Sequence, residues 1–173
     1  MACVLTQGVP IDCRDSMGGA KSFHLIAFAD VTTVTSALGV VTAIVKATGK
    51  RFWKYVPAKE TSYLKETITS SVQNGTIYYA QEIMMALTKM QANLRNEIMI
   101  LGQVRIMAIV TDANNKPWLV GSDNGLDLTA GEGGTGTAPG DRNGYSVTFT
   151  GNEPLMALEV DAATYLTLET PGT

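Results

Sequence analysis

Apolar positions recur with a period of two along most of the chain and with a helical period in one place. Ser22–Val31 (SFHLIAFADV) sets Phe23, Leu25, Ala27 and Ala29 on one face and Ile26 and Phe28 on the other. A strand that is apolar on both faces is buried on both, in a sandwich or beneath a neighbouring subunit. Val31–Val45 is the most apolar long stretch; four threonines and a glycine interrupt it, and it is too short to span a bilayer. It reads as β-branched strand material. Val40–Thr48 and Lys50–Pro57 read as two strands joined near Thr48-Gly49-Lys50, the second ended by Pro57.

The strongest signal is a long β-hairpin over residues 62–87. SYLKETITSSVQ and TIYYAQEIMMAL flank Asn74-Gly75, a pair suited to a type I′ turn because both central positions need positive φ. Ile77, Tyr79, Ile83, Met85 and Leu87 share one face, with Gln81 the polar exception. The limbs are long for a small domain, and a bare hairpin exposes its edges, so it is expected to pack on something, a neighbouring copy included.

The period then switches. Thr88-Lys89-Met90-Gln91 fits a capping box with Thr88 as N-cap, and Met90, Leu94, Ile98 and Leu101 follow at helical spacing up to Gly102. Alternation resumes with strands at Gln103–Thr111, Pro117–Gly121 and Leu126–Leu128, separated by turns at Asp112–Lys116 and Ser122–Gly125. Residues 129–143 form a glycine-rich stretch, expected to be a flexible loop. Beyond it Tyr145, Val147 and Phe149 alternate with polar residues, and Met156, Leu158, Val160, Ala162, Leu166 and Leu168 hold one parity of a final strand pair or bent strand. Residues 1–20 look like an N-terminal arm punctuated by Pro10, Gly18 and Gly19. Strands and helices do not alternate, which disfavours a doubly wound parallel sheet. The pattern predicts one domain over residues 1–173, mainly β: an antiparallel β-sandwich with one flanking α-helix and a long β-hairpin.

Composition sharpens this. At 173 residues the chain suits a single domain with a real core. Only 17% of residues are charged, low for a monomer, so some surface is expected to be buried against other subunits. Net charge is −3 and there is no dense Lys/Arg cluster, which disfavours specific nucleic-acid binding. Nucleic acid passing an acidic surface without sticking remains open. The opening MACVLTQGVP has no positively charged lead or long apolar core, so no secretory signal or membrane anchor is read, and the chain is expected to fold in a cytosol.

Candidate chemistry is sparse. GEGGTGTAPG lacks the lysine and the following helix that a phosphate cradle needs. Asp123–Asp127 and Asp141–Gly144 lack the spaced oxygens and distal Glu of a calcium loop and read as tight turns, with a weak adventitious cation as the lesser reading. Cys3 and Cys13 show no metal-ligand spacing and read as reduced small hydrophobes, a disulfide pinning the arm being the other reading. A Cys13–His24 nucleophile pair is conceivable, but His24 lies in an apolar strand pattern where a structural role is commoner. No metal, cofactor or catalytic residue is assigned, and the chain is not expected to be an enzyme. Met85, Met90 and Met107 read as core filler; Met84 and Met99 lie off the apolar parity and are candidate interface residues.

MACVLTQGVPIDCRDSMGG, NGTIYYAQEIMMAL and GTGTAPGDRNGYSVTFTGNEP resemble segments of structural virion proteins of tailed phages, in particular phages of Bacteroidota-type hosts. The layout is most similar to the tail tube protein family. The resemblance implies a β-sandwich with one helix and a long hairpin, six copies per ring, and rings stacked into a tube whose acidic lumen lets DNA slide through. It implies homo-oligomers in the tail of a virion, contacts with other tail or head–tail proteins, and assembly in the cytoplasm of a bacterial host. The arm, hairpin and glycine-rich loop would reach neighbours, which nominates Gly18, Gly19, Asn74, Gly75, Met84, Met99, Gly133, Gly136, Asp141 and Arg142 as inter-subunit contacts. On that view, deleting Ala130–Gly140 should spare the fold and impair polymerisation. A capsid decoration or head–tail connector protein, the inner tube of a phage-like contractile injection device, and a small-molecule-binding β-domain are the alternatives.

Overall fold

The computed structural model describes residues 8–9 and 14–172. Cys3, Cys13, Pro10 and most of the arm lie outside them, so the cysteine readings and the Cys13–His24 pair are not addressed. Eleven strands follow in chain order: β1 (Ala20–Ala27), β2 (Val31–Ala37), β3 (Val40–Lys46), β4 (Trp53–Tyr55), β5 (Tyr63–Ser71), β6 (Thr76–Thr88), β7 (Ile106–Asp112), β8 (Pro117–Val120), β9 (Asp127–Gly134), β10 (Gly144–Glu153) and β11 (Leu158–Val160). Helix α1 (Ala92–Leu101) follows β6, and a short α2 (Ala162–Leu166) follows β11. The strands form a seven-stranded sheet, β2-β3-β11-β8-β7-β1-β4, and a four-stranded sheet, β5-β6-β10-β9. Pairing within both is antiparallel except β11 beside β3. The chain is thus a mainly β sandwich with α1 packed against it, as the sequence predicts.

Between the sheets lie Phe23 and Leu25 of β1, Ile106, Ala108 and Val110 of β7, Ile83 and Met85 of β6, and Val147 and Phe149 of β10. Full burial of such side chains stabilises by about 1.5–3 kcal/mol each relative to exposure. The back of the larger sheet has its own core: Ile26, Met107, Ile109, Leu119 and Val41, covered by Phe52, Tyr165 and Leu168. The doubly apolar β1 is therefore buried on its second face by the chain's own C-terminal segment, with no neighbouring subunit needed. Lys46 fixes that segment: its buried ammonium donates to the carbonyls of Thr167 at 2.6 Å, Leu168 at 3.3 Å and Thr170 at 2.7 Å.

Gln81, the polar exception, sits on the core face of β6 and is buried. Its amide donates to Glu66 Oε1 at 3.0 Å and the Leu155 carbonyl at 3.3 Å, and its oxygen accepts the Gly121 N–H at 2.9 Å. With its polar atoms satisfied, it ties the two sheets together.

Several expectations change. The long hairpin forms, but Ser71 pairs with Thr76 across a four-residue turn, and of its turn residues only Gly75 has positive φ. Asn74 does not take the left-handed conformation; its N–H is held by Ser71 Oγ at 3.3 Å, so the turn is not type I′. The turn with two positive φ values is Leu38-Gly39, between β2 and β3. Val40–Thr48 and Lys50–Pro57 are not paired with each other: β3 lies between β2 and β11, and β4 pairs with β1. The Ser22–Val31 strand stops at Ala27, where Phe28–Asp30 turns as one 3-10 turn.

The capping box at Thr88 does not form. Thr88 ends β6, Lys89 turns at φ 66°, and Gln91 is the N-cap with no side-chain cap bond. Asn143 fixes this link instead, accepting from Lys89 N at 2.7 Å through its carbonyl and from Met90 N at 3.2 Å through Oδ1. Met90 consequently precedes the helix and is exposed, whereas Met85 and Met107 are buried as expected. Ala162–Leu166 is helical rather than strand. The glycine-rich stretch is not a loop throughout: residues 129–134 belong to β9 and pair with β10.

Candidate functional site

Gly133, Gly136, Asp141 and Arg142 gather at the far end of the β9–β10 hairpin. The Tyr145 ring crosses Gly133 so closely that a Cβ there would meet it at 2.6 Å. Gly136 turns at φ 72° against Asp141. The Asp141 carboxylate accepts the N–H groups of Thr137 and Ala138, each at 2.7 Å, and these bonds hold its carboxyl below the usual range. Arg142 reaches back over β10 to Ser146 Oγ at 3.4 Å, with Glu132 at 3.8 Å. The glycines thus shape the hairpin itself, and Asp141 is engaged in its own turn.

The other nominated residues are elsewhere. Asn74 and Gly75 cap the β5–β6 hairpin. Gly18 and Gly19 lead into β1, where the Gly19 carbonyl accepts Ala113 N at 2.9 Å and Asn114 Oδ1 accepts Met17 N at 2.8 Å, pinning the end of the arm to the β7–β8 turn. Met99 is half exposed on α1. Met84 lies on the outer face of the smaller sheet between Tyr63 and Thr148. The ten residues form no single site.

What the smaller sheet does bring together was missed from the sequence. Its inner face carries Leu64, Ile83, Met85, Val147 and Phe149 into the core. Alternation in β5, β6 and β10, with a bulge at Thr129 in β9, puts the partners outward in rows across all four strands: Lys65, Glu82, Thr150 and Asp127 in one, Tyr63, Met84, Thr148 and Ala130 in the next. Among the described residues both lateral edge strands, β5 and β9, lack a strand partner on their outer side. The outward charge on β5 is Lys65; the outward charges on β9 are Asp127 and Glu132. Glu66, the other β5 charge, turns inward to Gln81 and to the Ala157 N–H at 2.7 Å. The bulge at Thr129 breaks the alternation in DLTAGEGG, and glycine content marked residues 129–134 as loop.

Chemistry-bearing groups are engaged structurally. His24 is buried edge-on against Tyr165, ring centroids 5.3 Å apart, with Nε2 at 3.3 Å from Glu169 Oε1. Burial pulls its pKa down, against the pull of Glu169. The Glu153 carboxylate accepts the Asp123, Asn124 and Gly125 N–H groups at 2.9–3.0 Å, closing the segment that the sequence reads as a tight turn rather than a calcium loop. Burial pushes its carboxyl up, opposed by those bonds. A shallow polar cleft of about 420 Å³ at the β9–β10 bulge is lined by Arg105, Asp127, Thr129 and Thr150, without a nucleophile–base pair. Among the described residues no three His, Cys, Asp or Glu side chains cluster to hold a metal ion, and no helix is long and apolar enough to cross a membrane. No family model, curated protein or solved structure matches the chain.

Proposed function

We propose that this chain is a structural assembly subunit, a phage tail tube protein whose copies join into rings that stack as a conduit for DNA. The observation that carries it is the four-stranded sheet with two open edges of opposite charge. Lys65 on β5 of one copy would meet Asp127 on β9 of the next, extending the sheet by ordinary strand pairing about 4.8 Å apart. Such a contact is head-to-tail, and a head-to-tail contact whose rotation closes makes a ring. The outer face, rich in threonine and bearing Glu82, Asp127 and Glu132, would then line a surface that does not grip phosphates. In this reading the protein works in the virion tail, after assembly in the host cytoplasm, and catalyses nothing.

Electron microscopy of the purified protein tests this. Rings or tubes are expected; a strictly monomeric particle at high concentration sinks the reading. Binding to empty capsids without tubes would favour a decoration protein instead. Charge reversal tests the edge contact: Lys65→Glu and Asp127→Lys should each suppress rings, and an equimolar mixture of the two should restore them.

A further inference from the structure

The two longest uncharged runs in the chain are Val31–Val45 and Thr67–Gln81, fifteen residues each. Each proves to be a hairpin at a sheet edge: β2–β3 in the larger sheet, and the outer part of β5–β6 in the smaller. Both carry bare apolar side chains. On the first, Leu38 is fully exposed and Val45 is half exposed. On the second, Val72 at the turn is 96% exposed, with Ile68 and Ile77 more than half exposed and Tyr78 close behind. Ile68 and Ile77 lie on the face that carries Leu64 and Ile83 into the core, beyond the Glu66–Gln81 pair that interrupts it, so apolar side chains reappear on that face outside the sandwich.

Sheet edges are normally guarded by charge or proline. Here β4 has Lys54, β5 has Lys65 and Glu66, and β9 has Asp127 and Glu132. Strand β2 (VTTVTSA) has neither charge nor proline and is blunted only by register shifts between Val31 and Thr33 and between Thr35 and Ser36. All 13 Lys and Arg and all 16 Asp and Glu lie outside the two runs. An apolar tip laid on a charged face would strip water from charges and give them no partner. The matching surface of comparable length in this chain is the other uncharged hairpin.

We propose that the uncharged end of the β5–β6 hairpin of one copy docks on the β2–β3 hairpin of a second copy. The contact is head-to-tail, so a pair of copies leaves one hairpin of each kind unused, one on each copy, and the contact propagates. It is separate from the Lys65–Asp127 edge pairing, and it rests on the self-assembling reading above.

The test uses the full chain in a Cys3→Ser/Cys13→Ser background. Val72→Cys copies mixed with Leu38→Cys copies should cross-link on oxidation far more than either alone. Val72→Lys and Leu38→Lys should each weaken self-association by about tenfold or more in sedimentation, with the monomer Tm unchanged, because both side chains are solvent-exposed. If the protein assembles but both lysine variants assemble like wild type, or the mixed cross-link is absent, the docking is overturned and the tail-tube reading stands. If the wild type is monomeric at every concentration, both are overturned.

Discussion

His24 illustrates how a single residue reports on the fold. It is buried and hydrogen-bonded through one nitrogen, while Nδ1 has no partner among the described residues. Its folded pKa lies below the ordinary 6.5, with desolvation as the main cause, Lys54 adding to the fall and Glu169 opposing it. Between the folded and unfolded values the unfolded chain holds the extra proton. The contribution of this group is therefore complete above about pH 6.5 and is lost as pH falls below it. The Tm should decline from pH 7 to pH 5, and His24→Phe, which keeps a ring against Tyr165, should flatten the decline. Equal slopes for the two proteins would show that His24 is not the titrating group. At this scale the sequence was partly legible. The alternation in SFHLIAFADV placed His24 as a structural residue, and the parity of TIYYAQEIMMAL put Gln81 inside. The partners that make those positions tolerable were hidden, because Glu169 and Gly121 lie 145 and 40 residues away.

Elements were legible where one periodicity ran unbroken, and failed where local and distant demands competed. The limbs of the long hairpin and the body of α1 follow their patterns. Met90 fits the helical spacing too, yet Asn143 holds residues 89–90 in the preceding turn, and the helix starts later. Asn74-Gly75 has the better type I′ composition, but that turn geometry went to Leu38-Gly39, where Ala37 and Val40 are paired directly across two residues. Ala162–Leu166 has the parity of a strand; β11 stops at Val160, and the segment coils into α2 to roof the back of the larger sheet. Lys46 holds the end of that roof. Lys46→Met should destabilise by about 1.5–3 kcal/mol, the usual worth of charged hydrogen bonds. It should also speed amide exchange over residues 167–172 more than elsewhere; protection unchanged there would rule out the clasp. The glycine-rich segment needs a revised test as well. Deleting Ala130–Gly140 would remove half of β9, whereas deleting Thr135–Gly140 leaves its pairing with β10 in place. The shorter deletion is expected to keep the monomer Tm within a few degrees and to reduce polymerisation. A large loss of Tm would make the segment part of the folded core.

Across the whole molecule, low charge was the most informative number, and its distribution carries more than its total. The uncharged runs fall on two edge hairpins, while the remaining edges carry charges that can discriminate one neighbour from another. Neither arrangement was visible beforehand, because the strand order that makes β2, β5 and β9 edges cannot be read from spacing. Strand β11 enters the larger sheet between β3 and β8 although it comes last in the chain, and β1 lies between β4 and β7. The burial of β1 on both faces has a consequence during synthesis. As the first of the described strands to be made, it leaves the ribosome with two oily faces. Its neighbour β7 ends at Asp112, and Leu168, part of the cover on its back face, is made later still. At ordinary translation rates of about 5–20 residues per second, β1 waits several seconds for partners. The nascent chain is thus most vulnerable to aggregation until Leu168 has emerged, and a truncation ahead of Leu168 would leave it in that condition permanently.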